Sequence, residues 1–193
     1  MRRIGGVVLA AGQSVRFRGT KLLATIGDVP LVRVVVDDVL RAVDPVVVVL
    51  GHDADRVGAA VTGRPVQLVN NPRYADGMGT SIAAGVRALP EEIDAVLIAL
   101  GDQPVGVDVI TSVIAAYQRR AGGIAAPVYD GVRGNPVVLD RRFFPELMAL
   151  TGDRGARELI DGHADLLTAV PFAFPPPIDI DTQEDLRKLQ RPS

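Results

Sequence analysis

The chain has 193 residues, a formal net charge of −2, 48% hydrophobic and 23% charged residues, and no cysteine. That length suits a single domain, and at this size folding buries roughly 70% of the unfolded surface, enough for a core without staples. The missing cysteine excludes disulfides, thiolate metal sites and a cysteine nucleophile. The near-neutral charge, with no long basic block, argues against a general nucleic-acid binder. No apolar run is long enough for a membrane span or a secretory signal, so the expected location is the cytoplasm.

In chain order, short β-branched runs alternate with helical patterns. Ile4–Leu9 reads as a buried strand. Pro30–Val43 has helical spacing with proline at the start, where its missing N–H does no harm. Pro45–Leu50 is a second strand, and Asp53 is expected to cap a helix over Ala54–Val61. Val66–Val69 is a third strand, and a helix is expected from Thr80 or Ser81 to Ala88. Ala95–Leu100 is a fourth strand, followed by a helix over Val107–Arg120 and a small fifth strand over Gly123–Ala126. Beyond it the chain turns irregular. A strand-like Asn135–Leu139 precedes helical segments Arg141–Leu150 and Arg154–Asp161, a proline run, and a closing helix Thr182–Gln190. Continuous apolar strands separated by helices imply a mostly parallel, Rossmann-like sheet covered on both faces. We therefore expect one α/β three-layer sandwich over residues 1–193, with neither a linker nor an internal repeat.

In such sheets ligands bind beyond the carboxyl ends of the strands, so the chemistry is sought there. The loop after the first strand, Ala10 to Lys21, is small, glycine-containing and basic through Arg16 and Lys21. Small residues let backbone N–H groups approach a phosphate closely. The spacing is that of neither a Walker A loop nor a dinucleotide fingerprint, and an ordinary turn with solvated arginines is the plainer alternative. Only Lys21 and Lys188 are lysine among 21 basic residues, which marks Lys21 for attention. After the third strand, Thr80 and Ser81 stand at a helix start, placed either for capping or for a polar ligand. Asp102 follows the fourth strand directly, as a turn residue or as an oxygen ligand for Mg²⁺. Asp179 and Asp181 alternate, so an extended chain carries both on one face. His52 and His163 are read as structural or solvated, since no spacing suggests a metal pair or a serine triad.

Taken in order, these segments resemble the molybdenum-cofactor nucleotidyltransferases, the MobA-like NTP transferases. The resemblance is carried by Leu9-Ala10-Ala11-Gly12-Gln13-Ser14-Val15-Arg16-Phe17 with Lys21-Leu22-Leu23, then Asn71-Pro72-x-Tyr74-x-x-Gly77-Met78-x-Thr80-Ser81. Gly101-Asp102-Gln103-Pro104, Gly134-Asn135-Pro136 and Asp179-Ile180-Asp181-Thr182 complete it, spanning about residues 4 to 187. The Leu-Ala-Ala-Gly form resembles the cytidylyl branch. The resemblance implies the fold of the nucleotide-diphospho-sugar transferases and transfer of CMP from CTP to molybdopterin, with Mg²⁺ as cofactor. It further implies that Leu9, Ala10, Ala11 and Gly12 line base and ribose, that Arg16 and Lys21 hold the triphosphate, and that Thr80 and Ser81 lie by the base. Asp102 would bind Mg²⁺ with Asp179 or Asp181, and Gly134, Asn135 and Pro136 would face the acceptor. A molybdoenzyme receiving the cofactor is the implied protein partner. One departure stands out: Arg18 occupies a position where the family commonly has glycine. The alternatives are another phosphorylated acceptor or GTP, an NAD(P)H-dependent reductase of the nicotine-blue type, and a non-catalytic carrier.

Overall fold

The computed structural model describes residues 2–13, 17, 19–120, 122–153, 155–177 and 185. Its strands are β1 (Ile4–Ala10), β2 (Thr25–Ile26), β3 (Val29–Pro30), β4 (Val46–Leu50), β5 (Gln67–Asn70), β6 (Ala95–Leu100), β7 (Ile124–Tyr129), β8 (Val132–Arg133), β9 (Val137–Asp140) and β10 (Leu167–Phe172). Its helices are α1 (Leu31–Leu40), α2 (Ala54–Ala60), α3 (Met78–Arg87), α4 (Val107–Arg119), α5 (Phe144–Met148) and α6 (Ala156–Gly162).

Among the described residues one sheet runs β10-β7-β9-β6-β1-β4-β5, with β8 paired to β7. β1 pairs in parallel with β4 and with β6, β4 with β5, and β7 with β10. Only β9 and the short β8 run against their neighbours. The sheet is thus mostly parallel, as the apolar strand runs predict.

Alternation along these strands divides the core. Val8, Val48 and Leu97 pack with Val32, Val35 and Val39 of α1 and with Ile110 and Val113 of α4. Their neighbours Val7, Val47, Val49 and Ile98 pack on the other face with Ile82 and Val86 of α3, Leu147 of α5 and Ile160 of α6. A strand buried on both sides needs apolar residues at every position, which is why the sequence shows runs rather than alternation. The result is one α/β sandwich of three layers.

Several boundaries differ from expectation, each for a local reason. The third helix begins at Met78, two residues early, because Gly77 with φ 114° makes the turn that starts it. The segment 141–150 is a 3-10 turn, Arg141–Phe143, followed by the short α5, and the Asp140 side chain accepts the Arg142 N–H at its start. β7 extends to Tyr129, past Pro127, whose neighbour β8 covers only Val128 and Tyr129. β10 and the β2–β3 hairpin had no counterpart in the sequence reading. β10 is half exposed at the edge of the sheet and has no full apolar run to betray it. The expected closing helix Thr182–Gln190 lies outside the described residues, save Asp185. Among the described residues no helix is long and apolar enough to cross a membrane.

Candidate active site

β1 lies centrally, with β4 on one side and β6 on the other, so the loops leaving β1 and β6 flank a cleft at the strands' carboxyl ends. The carbonyl of Leu9 accepts the N–H of Gly101 at 2.9 Å, joining these loops at their base. A Cβ on Gly101 would stand 2.9 Å from that same carbonyl oxygen, so glycine permits the approach. Just above, Lys21 Nζ stands 2.9 Å from Asp102 Oδ2. The Lys21 side chain is 9% exposed and that of Asp102 is 34% exposed. The nearly buried ammonium is paired with that carboxylate, while the carboxylate keeps an open side toward the cleft.

The cleft has a volume of about 360 Å³ and is lined by Leu9, Ala11, Gly12, Leu22, Tyr74, Met78, Ser81, Asp102 and Asp153, among others. Beside it a second cleft of about 560 Å³ shares Leu9, Met78, Leu100 and Asp153 with the first. The second is walled by Arg133, Gly134, Asn135 and Arg157 over an apolar floor that includes Ile82, Ile98 and Ile160. Two adjoining clefts, one beside the charged pair and one with an apolar floor and a basic rim, can hold two reactants side by side.

The expected site residues fall into three groups. Leu9, Ala11, Gly12, Ser81 and Asp102 line the first cleft, and Lys21 reaches its edge through Asp102. Gly134 and Asn135 line the second. Ala10, Thr80 and Pro136 line neither of these two clefts. Ala10 is fully buried. Pro136 lines a small crevice with Gln103 and Val105. Thr80 is 7% exposed; its Oγ1 lies 2.9 Å from the carbonyl oxygens of both Arg73 and Gly77, one of which takes its proton. Arg16, Asp179 and Asp181 lie outside the described residues.

Behind Ser81 sits Asn71, 4% exposed. Its amide nitrogen donates to Thr80 Oγ1 at 2.9 Å and to Ser81 Oγ at 3.0 Å, and its carbonyl oxygen accepts the Arg73 N–H at 3.0 Å. One buried amide thereby ties the end of β5 to the first turn of α3. Gly77 lets the turn around Gly152 cross that helix start: a Cβ there would stand 2.2 Å from the Gly152 carbonyl carbon. Gly79 N–H donates to Gly152 O at 2.9 Å, and the crossing brings Asp153 into both clefts. Asp153 and Arg157 carry no sequence signal, because they reach the clefts only through this crossing or from the cleft walls, whereas Tyr74 belongs to the motif after β5 and lines the first cleft.

The donor set bears on a metal. Among the described residues no group of three or more His, Cys, Asp or Glu stands together. Asp102 offers a partly open carboxylate at the cleft, and the exposed Asp153 lines the same cleft. One or two carboxylates with phosphate and water oxygens suit Mg²⁺, which keeps several waters, so the residues present fit such an ion.

Comparison with known proteins agrees with this geometry. The model of the MobA-like NTP transferase domain matches residues 6–166. The chain belongs to that family. Similar proteins include nicotine blue oxidoreductase of Paenarthrobacter nicotinovorans, 32% identical with 96% of each chain covered. The transferase domain also superposes on the mycobacterial Rv0371c homologue from strain JC1, with TM-score 0.84, 30% identity, and 98% of this chain and 96% of that one covered. Rv0371c of Mycobacterium tuberculosis in complex with manganese gives TM-score 0.78 at 28% identity over 98% of both chains. A nucleotidyl transferase from Methanothermobacter gives TM-score 0.81 at 25% identity, covering 98% of this chain and 97% of that one. The fold is thus that of a nucleotidyltransferase.

Proposed function

We propose that this chain transfers CMP from CTP to molybdopterin with release of pyrophosphate. The observation that carries the reading is the Lys21–Asp102 pair at the edge of one cleft that opens onto another. Ala11 and Gly12 line the nucleotide cleft, where small residues admit base and ribose. Lys21 serves as a compact charge for the triphosphate, joined by Arg16 from the same loop. Asp102, with Asp179 or Asp181, would hold Mg²⁺, which would supply positive charge against the phosphates. Thr80 supports the base side through its neighbour Ser81, and Gly134, Asn135 and Pro136 belong to the acceptor wall.

An oxygen of the acceptor's terminal phosphate attacks the α-phosphorus, and the bond from that phosphorus to the pyrophosphate oxygen breaks. A phosphate monoester is already ionised at neutral pH, so no general base is needed. Both reactants are anions, and the work of this chain is to hold them together and offset their repulsion. The product would pass to a molybdoenzyme in the cytoplasm.

A second reading is favoured by the near full-length likeness to nicotine blue oxidoreductase: an NAD(P)H-dependent reductase using the apolar floor of the second cleft for a flat substrate. A third keeps the nucleotide chemistry but changes the acceptor or uses GTP. A thermal-shift panel with Mg²⁺ and CTP, GTP, ATP, UTP, NADH or NADPH separates them. A ligand at 100 times its dissociation constant adds about 2.7 kcal/mol, readily seen as a shift. Stabilisation by CTP with Mg²⁺, lost in Asp102→Ala, supports cytidylyl transfer. Stabilisation by NADPH alone overturns it in favour of the reductase.

A further inference from the structure

Asp53 stands at the first position before α2, where the sequence pattern predicts a capping side chain, yet its carboxylate makes no bond to the helix N–H groups. Its backbone is left-handed, φ 55° and ψ 36°, a conformation that aspartate tolerates better than most residues. The carboxylate is turned toward the loop after β1 instead. Asp53 Oδ2 accepts the hydroxyl of Thr20, and Arg56 Nη1 donates to the same oxygen at 2.8 Å. Thr20 immediately precedes Lys21, and its carbonyl accepts the Leu23 N–H at 2.9 Å, forming the short turn that carries the lysine.

The other end of that loop meets the same turn. His52 N–H donates to the carbonyl of Ala11 at 3.2 Å. Gly51 lies so close that a Cβ there would stand 2.8 Å from the Ala11 Cβ and 2.6 Å from the Tyr74 Cβ. Three consecutive residues after β4 therefore contact Ala11 on one side and Thr20 on the other. Ala11 lines the nucleotide cleft, and Thr20 adjoins the lysine paired with Asp102.

We propose that Asp53 is a positioning residue for the nucleotide site. Together with the backbone of His52 it clamps both ends of the segment from Ala11 to Thr20, and thereby sets where Lys21 stands against Asp102. The left-handed backbone is what turns the carboxylate away from α2 and onto Thr20. Arg56 meets the same carboxylate oxygen from the helix side, so the side chain is fixed between the two partners. The inference rests on the nucleotide reading of the cleft, but it also makes a claim about Lys21 that holds without any ligand.

The variants are chosen to leave the backbone unstrained. Asp53→Gly keeps the left-handed conformation and removes the carboxylate. Thr20→Val keeps the shape and removes the hydroxyl, and Thr20→Ser restores it. The first readout is the rate at which an N-hydroxysuccinimide acetate reagent modifies Lys21 in the full chain, followed by mass spectrometry with Lys188 as internal reference. The second is the dissociation constant of CTP with Mg²⁺. Asp53→Gly and Thr20→Val should each raise Lys21 reactivity several-fold and weaken CTP about tenfold, one lost bond's worth. Thr20→Ser should restore both readouts, and the double variant should be no worse than either single one. A Thr20→Val protein that melts normally, with Lys21 reactivity and CTP affinity unchanged, overturns the clamp. Should Asp53→Gly fail to fold, Thr20→Val and Thr20→Ser decide alone, since Thr20 lies outside the core. If the unmutated chain binds no CTP, the nucleotide reading falls, and Lys21 reactivity still decides the clamp.

Discussion

Lys21 Nζ and Asp102 Oδ2 stand 2.9 Å apart, although the two residues leave different strands and are separated by 81 positions. The lysine is nearly buried and the aspartate is open on the cleft side. Each charge stabilises the other; in the proposed function the lysine would serve phosphate and the aspartate a cation.

Removal of the carboxylate should therefore affect both function and folding. Asp102→Ala is expected to lower nucleotidyl transfer by at least ~10²-fold, the scale of losing one electrostatic contact to the transition state. Its unfolding free energy should fall by about 2–3 kcal/mol, since the nearly buried Lys21 ammonium loses this carboxylate. Chemical denaturation beside a pyrophosphate-release assay checks both. Normal turnover in Asp102→Ala would remove the metal assignment.

Gly77→Ala should act on both clefts at once. The new methyl would stand 2.2 Å from backbone carbon of Gly152, at a φ of 114° that alanine rarely adopts. The expected loss is about 3 kcal/mol, and nucleotide affinity should fall with it because Asp153 and Ser81 flank that crossing. Denaturant titration and calorimetry with CTP test this. A fully stable Gly77→Ala would mean that the turn around Gly152 does not rest on α3.

Asn71→Ala should be among the more damaging polar substitutions. It removes three hydrogen bonds and leaves the Arg73 N–H and the Ser81 hydroxyl without the Asn71 amide, while Thr80 keeps its bond to a backbone carbonyl. A loss of about 2–4 kcal/mol is expected, against about 1 kcal/mol for Ser81→Ala, which gives up one of them. A double-mutant cycle between Asn71 and Thr80 should show strong non-additivity, because the two share a bond.

Two phenols supply a pH dependence. Burial pushes the Tyr129 hydroxyl up to about 12. Burial, then the hydrogen bond to Asp140 at 2.7 Å, pushes Tyr117 higher still. A phenol whose ionisation is raised by folding stabilises the native state fully below its unfolded value of about 10, and that contribution disappears as pH rises through the folded value. Stability should therefore be flat on this account to about pH 10 and decline toward pH 12. Absorbance near 295 nm, compared with the chain in guanidinium, reads the ionisation directly. Two phenols ionising as early in the native chain as in the unfolded one would contradict the packing around β7 and α4.

Much of the fold was legible because strands buried on both faces leave a mark that nothing else does. Val46-Val47-Val48-Val49 cannot form an amphipathic helix and cannot lie on a half-wet sheet. Legibility failed where burial is partial. β10, with residues that alternate between half-buried and exposed, resembles a loop in sequence and becomes a strand only because β7 offers its edge. The same holds at the site. Lys21 and Asp102 were readable from their positions after β1 and β6, and Ser81 from its helix start. Thr80 could not be told from Ser81 by type, and it is the direction of the first turn of α3 that sends one hydroxyl inward and leaves the other at the cleft. Asp53 was readable as a capping residue, and only its left-handed backbone turned it elsewhere.

The sequence by itself determined the class of sheet, the loops able to bear chemistry, and the absence of cysteine and of a histidine constellation. These follow from composition and period, which are local and one-dimensional. Which carboxylate meets the lysine, which hydroxyl reaches the cleft, and how the turns at Gly51 and Gly152 seat themselves beside the two clefts were decided by tertiary structure. Those contacts join residues far apart in the chain, and each depends on a backbone approach that only a glycine or one left-handed aspartate allows.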